Sequence, residues 1–188
     1  MTSKKAKTPE DLFSDIAELD KAGETLPPVE RWNPPLSGDI DIRIDREGRW
    51  YHEGDLIQRE ALVKLFSRIL KREGDDHFLV TPVEKWRIAV DVAPFFVTGM
   101  EVLVRDGHQA LVFSTATGDQ VVAGPDHPLS VSGGETDEPL PLLSIRGGMA
   151  GLLSRPVFYR LVSLAEPGPD DKKAVQGVYS LGRFFPLE

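Results

Sequence analysis

The chain has 188 residues, 40% hydrophobic and 28% charged, with a formal net charge of −8 and an isoelectric point near 5.1. That suffices for one large domain or two small ones with a core of ordinary size, and the acidic balance argues against broad, salt-dependent binding to a nucleic acid polymer. The absence of cysteine excludes a disulfide framework, a thiolate metal site and a cysteine nucleophile.

No apolar run approaches the roughly 18 residues of a membrane span. Residues 1–7 are basic but lack a following apolar stretch, so they do not read as a secretory signal, and a cytoplasmic protein is expected. Thr8 offers an N-cap, Pro9 suits the first helical position, and Leu12, Phe13, Ile16 and Leu19 share a face. A helix is expected over 9–21, packing on the body or a neighbouring subunit, or serving as a partner-binding arm. Leu26-Pro27-Pro28 and Asn33-Pro34-Pro35 bracket a connector, with Trp32 as its anchor, so residues 1–35 form an N-terminal extension.

A first α+β domain is expected over 36–93. Ile40, Ile42 and Ile44 alternate as in a strand; Arg46-Glu47-Gly48 turns and Arg49 to His52 returns. Leu62, Leu65, Phe66, Ile69 and Leu70 predict a helix over 58–73, with Gly74 as its C-cap. Strands at 77–80 and 86–92 follow, separated by the polar corner Thr81-Pro82-Val83-Glu84-Lys85. Pro82 cannot donate to a ladder, so the first run stops there.

A second domain is expected over 94–188, rich in strands. Asp106-Gly107 between apolar alternations marks a hairpin, and turns are expected at 117–119 and 124–126. Leu140 to Ile145 reads as the last strand of that meander, with Pro141 suited to an edge or a strand start. Gly147 to Gly151 lacks the ending of a phosphate loop and reads as a flexible joint into a helical stretch over about 152–165, in which Pro156, legal only in the first turn, places the start of the helix proper near Arg155. Residues 175–185 read as one closing strand with bulges at Gly177 and Gly182. A weak repeat aligns Arg59, Leu62, Leu65 and Phe66 with Arg155, Phe158, Leu161 and Val162, but that spacing is common in helices and alone is poor evidence of duplication.

Gly48-Arg49-Trp50, Arg59 with Leu62-Val63 and Leu65-Phe66, Val80 to Lys85, Ala93-Pro94-Phe95 and Ser154 to Tyr159 occur in order along the chain. In these pieces it resembles a bacterial family known as a domain of unknown function, number twelve eighty-five. The resemblance implies a duplicated α+β core, a second half superficially like a pleckstrin-homology domain, a nucleotide-like ligand in a cleft between the halves, and a role in signalling. It supplies no catalytic residue.

The candidate ligand-binding residues are Thr81, Glu84, Lys85, Arg146, Arg155 and Tyr159. Arginine and lysine suit a phosphate or carboxylate, and Tyr159 or Trp86 could stack on a base. The plainer alternative is that Glu84 and Lys85 pair with neighbours and Arg155 caps or bridges. His52, His77, His108 and His127 lack metal-ligand spacing, and no Gly-x-Ser-x-Gly elbow supports a hydrolase, so no metal, cofactor or catalytic residue is assigned. A non-enzymatic protein binding a small anionic or nucleotide-like molecule at the domain interface is the leading expectation. The alternative is a protein-interaction module, or a homodimer, acting through an edge strand or the 9–21 helix; an enzyme stands third.

Overall fold

The computed structural model describes Thr8, Asp11 and residues 25–133, 138–170 and 175–188. Thr8 and Asp11 bond reciprocally: Thr8 Oγ1 accepts from the Asp11 N–H and the Asp11 carboxylate accepts from the Thr8 N–H, as in a helix N-cap. The rest of the stretch over which the 9–21 helix is expected lies outside the described residues. The chain divides into two compact units. The first comprises the described residues up to Asp45 with Arg49–Asp91; the second comprises Arg46–Gly48 with Val92–Glu188.

In the first unit the order is β1 (Gly38–Ile44), β2 (Trp50–His52), β3 (Asp55–Leu56), α1 (Glu60–Arg68), β4 (Leu70–Glu73), β5 (Asp76–Val80) and β6 (Lys85–Val90). The strands form one sheet in the order β3-β2-β1-β6-β5-β4. Two antiparallel three-stranded meanders therefore meet at a parallel contact between β1 and β6. The alternation of β1 buries Ile40, Ile42 and Ile44, and Trp50 meets Phe66 of α1 at 6.0 Å between ring centroids. The proline-rich connector makes a 3-10 turn at Val29–Arg31, with Val29 buried. It is held by Lys71, whose Nζ donates to the Trp32 carbonyl at 3.0 Å and to Asn33 Oδ1 at 2.8 Å. Trp32 thus anchors the connector through its main chain.

Helix α1 is shorter than the apolar spacing predicts. It ends at Arg68, and Leu70–Glu73 is a strand that pairs antiparallel with β5. Gly74, at φ +61°, sits in the two-residue turn between them rather than capping a helix. Leu70 continues the helical spacing and equally suits a strand facing Leu79, and a Gly-Asp turn favours the hairpin.

The second unit contains β7 (Phe95–Arg105), β8 (His108–Thr115), β9 (Gln120–Val122), β10 (Leu129–Ser132), β11 (Leu140–Arg146), β12 (Met149–Leu153) and α2 (Arg155–Val162). A three-stranded sheet of β13 (Glu166–Pro167), β14 (Gln176–Ser180) and β15 (Arg183–Pro186) follows. The main sheet runs β10-β11-β12-β7-β8-β9, and β7 pairs with β12 in parallel. Numbered from each unit's own first strand, both six-stranded sheets read third, second, first, sixth, fifth, fourth. The duplication is therefore carried by the sheets. The helices stand at different places, α1 between the third and fourth strands and α2 after the sixth, so the alignment of Arg59 with Arg155 does not equate like positions.

Three further expectations change. Arg146 to Gly151 is no flexible joint: Gly147 and Gly148, at φ +57° and +70°, make a tight turn from β11 into β12. Leu152 and Leu153, expected within the helical stretch, are strand and pair with Phe96 and Val97 of β7, while the helix proper begins at Arg155, where Pro156 places it. Residues 175–185 form a hairpin, β14 to β15, with Leu181 and Gly182 at positive φ in its turn. The chain is thus a strand-rich α+β protein of two units, the second with a helix packed on its sheet.

Candidate functional site

The polar corner of the first unit is the loop joining β5 to β6, and its polar atoms point inward. The Thr81 N–H donates to the Glu84 carbonyl at 2.9 Å, and Thr81 Oγ1 accepts from the Glu84 N–H at 3.0 Å and the Val83 N–H at 3.3 Å. Thr81 and Glu84 are buried, whereas Pro82 and Val83 are exposed. Lys85 Nζ donates to Glu73 Oε2 at 2.9 Å and lies 5.0 Å from the Phe78 ring centroid. That hydrogen bond holds the Glu73 carboxyl below the ordinary carboxylate range, and Lys71, 3.5 Å away, acts in the same direction. Trp86 is buried against Gly38, so its face is not offered to a base.

In the second unit Arg146 Nε donates to Asp119 Oδ1 at 3.0 Å, and the guanidinium lies 4.8 Å over the Phe95 ring. The other Asp119 oxygen accepts from the hydroxyls of Thr115 and Thr117 at 3.1 and 3.2 Å. This knot closes the β8–β9 turn onto the end of β11. Arg155 and Tyr159 stand one turn apart on α2, with the Arg155 side chain 77% exposed and Tyr159 67% exposed. Arg155 Nη2 donates to Glu138 Oε1 at 2.8 Å, and Arg46 of the same unit reaches the other Glu138 oxygen at 3.5 Å. Arg146 precedes β12 and Arg155 follows it, so the length of that strand, about 13 Å, lies between them. Among the described residues no group of three or more His, Asp or Glu side chains is placed to hold a metal ion.

A different feature is exposed on β7, which continues past the end of its neighbour β12. Pairing with β12 stops at Val97, and the Ser154 N–H makes the last main-chain bond on that side, to the Val97 carbonyl. The other side stays paired with β8 as far as Arg105 opposite His108. Three hydrogen bonds show which residues turn toward the unpaired side. The Leu111 carbonyl accepts from the Ala123 N–H, away from β7, so its partner Val102 must turn its own polar groups away from β8. The Gln109 carbonyl accepts from the Leu181 N–H, which places Val104 likewise. The Met100 carbonyl, next in the same set, accepts from Arg160 of α2. Beyond Met100 the N–H and C=O groups of Val102 and Val104 have no main-chain partner among the described residues. Around them Val102, Leu103 and Val104 are 39%, 51% and 79% exposed, an apolar edge of the kind that natural sheets generally cover or charge. In sequence, Val97 to Val104 is legible as a strand; that β12 stops short of it is not.

Two copies of one sheet order, with α1 beside the first and α2 beside the second, define a duplicated α+β protein. The chain belongs to the DUF1285 family: the model of its N-terminal domain, a domain of unknown function, matches residues 27–93, and that of its C-terminal domain matches residues 94–187. The structure is similar to that of a DUF1285 family protein from Silicibacter pomeroyi DSS-3, with 42% identity, a TM-score of 0.86, and 97% of this chain and 96% of that one covered. It is also similar to a DUF1285 family protein from Shewanella baltica OS155, with 27% identity, a TM-score of 0.51, and 65% of this chain and 90% of that one covered. No curated protein matches the chain.

Proposed function

We propose that this chain is a protein-interaction module that accepts an extended strand on the free edge of β7. The supporting observation is the pair of outward-facing valines, Val102 and Val104, with unclaimed main-chain groups and exposed apolar side chains. Strand addition draws affinity from main-chain bonds and specificity from alternate side chains, and this edge offers both. The cations first expected to gather an anion are each matched already by a carboxylate: Lys85 by Glu73, Arg146 by Asp119 and Arg155 by Glu138. Val104→Pro tests the reading, because it removes an outward donor and leaves the β7–β8 bonds intact. Affinity capture from a lysate of the source cells should yield a partner with the wild-type chain and lose it with the variant. Equal capture by both would overturn the reading.

A second reading is favoured by the exposure of Arg155 and Tyr159 one turn apart on α2. A guanidinium beside a phenol ring offers charge and a stacking face to a small anionic or nucleotide-like ligand, as in a cytoplasmic, non-enzymatic signalling sensor. A thermal-shift panel of mononucleotides, cyclic dinucleotides and simple polyanions tests it. A stabilising ligand whose effect disappears in Arg155→Ala is the expected result; silence across the panel overturns this reading.

A further inference from the structure

We propose that the strand accepted by the β7 edge is β7 of a second copy of this chain, paired antiparallel about a two-fold axis at Leu103. The proposal rests on the free-edge reading and names its partner. An isologous dimer needs a segment complementary to its own reverse. Glu101-Val102-Leu103-Val104-Arg105 has that property. Reversed against itself, it sets Val102 opposite Val104 of the second copy, Leu103 opposite Leu103, and Glu101 opposite Arg105 at both ends.

The main chain agrees with this register. In an antiparallel pair, residues whose polar groups face each other exchange two hydrogen bonds, and they alternate with closer, unbonded pairs. Val102 and Val104 face outward, so the two Val102–Val104 pairs are the bonded ones. Leu103 and the Glu101–Arg105 pairs fall at the closer positions, where opposite charges contribute most. Glu101 and Arg105 are exposed, and neither has an ion-pair partner among the described residues.

The neighbouring registers are worse. A shift toward the start of β7 brings Met100 into a bonded pair, and its carbonyl already accepts from Arg160. A shift the other way sets Arg105 against Leu103 and runs the pairing into the Asp106-Gly107 turn, where both residues have positive φ. Each copy carries a net charge of −8, which opposes association generally. The two cross-strand ion pairs provide local compensation at the seam. A five-residue seam is short, so the dimer is a weak one that assembles with concentration.

Sedimentation velocity and light scattering on the full chain, from micromolar to submillimolar concentration, test the proposal. The wild-type chain should pass from monomer to dimer across that range. Val104→Pro deletes one donor per copy, two per dimer, and should weaken association by about tenfold or more. Glu101→Arg and Arg105→Glu place like charges opposite each other, and each should weaken it severalfold. The double variant Glu101→Arg/Arg105→Glu should restore it. Amide hydrogen exchange supplies an independent readout: protection at Val102 and Val104 should rise with concentration, while that at Leu103, already bonded to β8, stays constant. Unchanged melting curves show which variants remain folded. A wild-type chain that stays monomeric, a dimer indifferent to all these substitutions, or a double variant no better than the singles would overturn the proposal. If the chain is monomeric but Val104→Pro still loses a lysate partner, the second copy is wrong and the free edge stands. If Val104→Pro changes neither association nor capture, both fall.

Discussion

Lys71 is a buried cation that ties the connector to its own strand, β4. Its ammonium bonds to Trp32 and Asn33 of the connector and lies 3.5 Å from Glu73 on its own strand. Lys71→Met keeps most of the apolar stem but leaves two connector acceptors without their donor. Trp32 is half-buried and Asn33 exposed, so water replaces part of the lost bonding, and a loss of about 1 kcal/mol is expected in urea unfolding. An unchanged midpoint would mean that the connector contributes nothing to the fold. His77 makes a second case. Burial is the main cause holding its imidazole below the ordinary value; the Arg72 charge adds to the effect and Asp76 opposes it. The unfolded chain then binds the proton first as the pH falls. Stability should therefore decline below about pH 6.5 until the folded imidazole also titrates. His77→Gln should flatten that part of the urea-midpoint profile. Glu73 and Asp91 are held low instead, by hydrogen bonds chiefly from Lys85 and Arg43. Their contribution is present above the unfolded carboxylate range and lost beneath it, so it falls in a separate, more acidic window than that of His77. A slope that survives in His77→Gln would move the effect to another group.

At the scale of elements, glycine separates close packing from turn geometry. A Cβ on Gly177 in β14 would overlap the Phe185 carbonyl and the Phe184 ring, both in the adjoining strand. A Cβ on Gly148 would meet nothing within 4 Å, but the residue sits at φ +70°. Gly177→Ala should therefore cost several kcal/mol, as overpacking against main chain does, whereas Gly148→Ala should cost only about 1 kcal/mol for the left-handed conformation. Thermal melts of the two variants check the order; equal losses would mean that β14 and β15 can separate without consequence. These positions also show what was readable. Asp106-Gly107 between apolar alternations announced its hairpin, and Ile40-Ile42-Ile44 its strand. Gly147-Gly148 carried the same two-residue turn signal but stood among further glycines, which made it resemble a joint. Leu70 fitted a helix and a strand equally, and only its pairing with Leu79 decides between them. For the candidate site, residue type was legible and partnership was not: Lys85, Arg146 and Arg155 are cations in the sequence, but Glu73, Asp119 and Glu138, which match them, lie between 12 and 27 residues away.

At the scale of the whole molecule, the duplication places one six-stranded sheet and one core in each unit. Trp50 and Phe66 lie in the first core, and Phe95, Phe113 and Leu161 are buried in the second. All three tryptophans, Trp32, Trp50 and Trp86, belong to the first unit. Intrinsic tryptophan fluorescence therefore reports one unit, whereas far-ultraviolet circular dichroism reports both. A single cooperative transition requires coincident curves from every probe. Because each sheet buries its own apolar side chains, the fluorescence and dichroism midpoints in urea should differ, and the calorimetric enthalpy should exceed the van't Hoff value. A lesion in one unit should then move one transition and leave the other. Lys71→Met should shift the fluorescence curve, while Gly177→Ala should shift only the part of the dichroism curve that fluorescence does not see. Coincident curves for the wild-type chain, moved together by both substitutions, would instead mean that the duplicated sheets melt as one cooperative body.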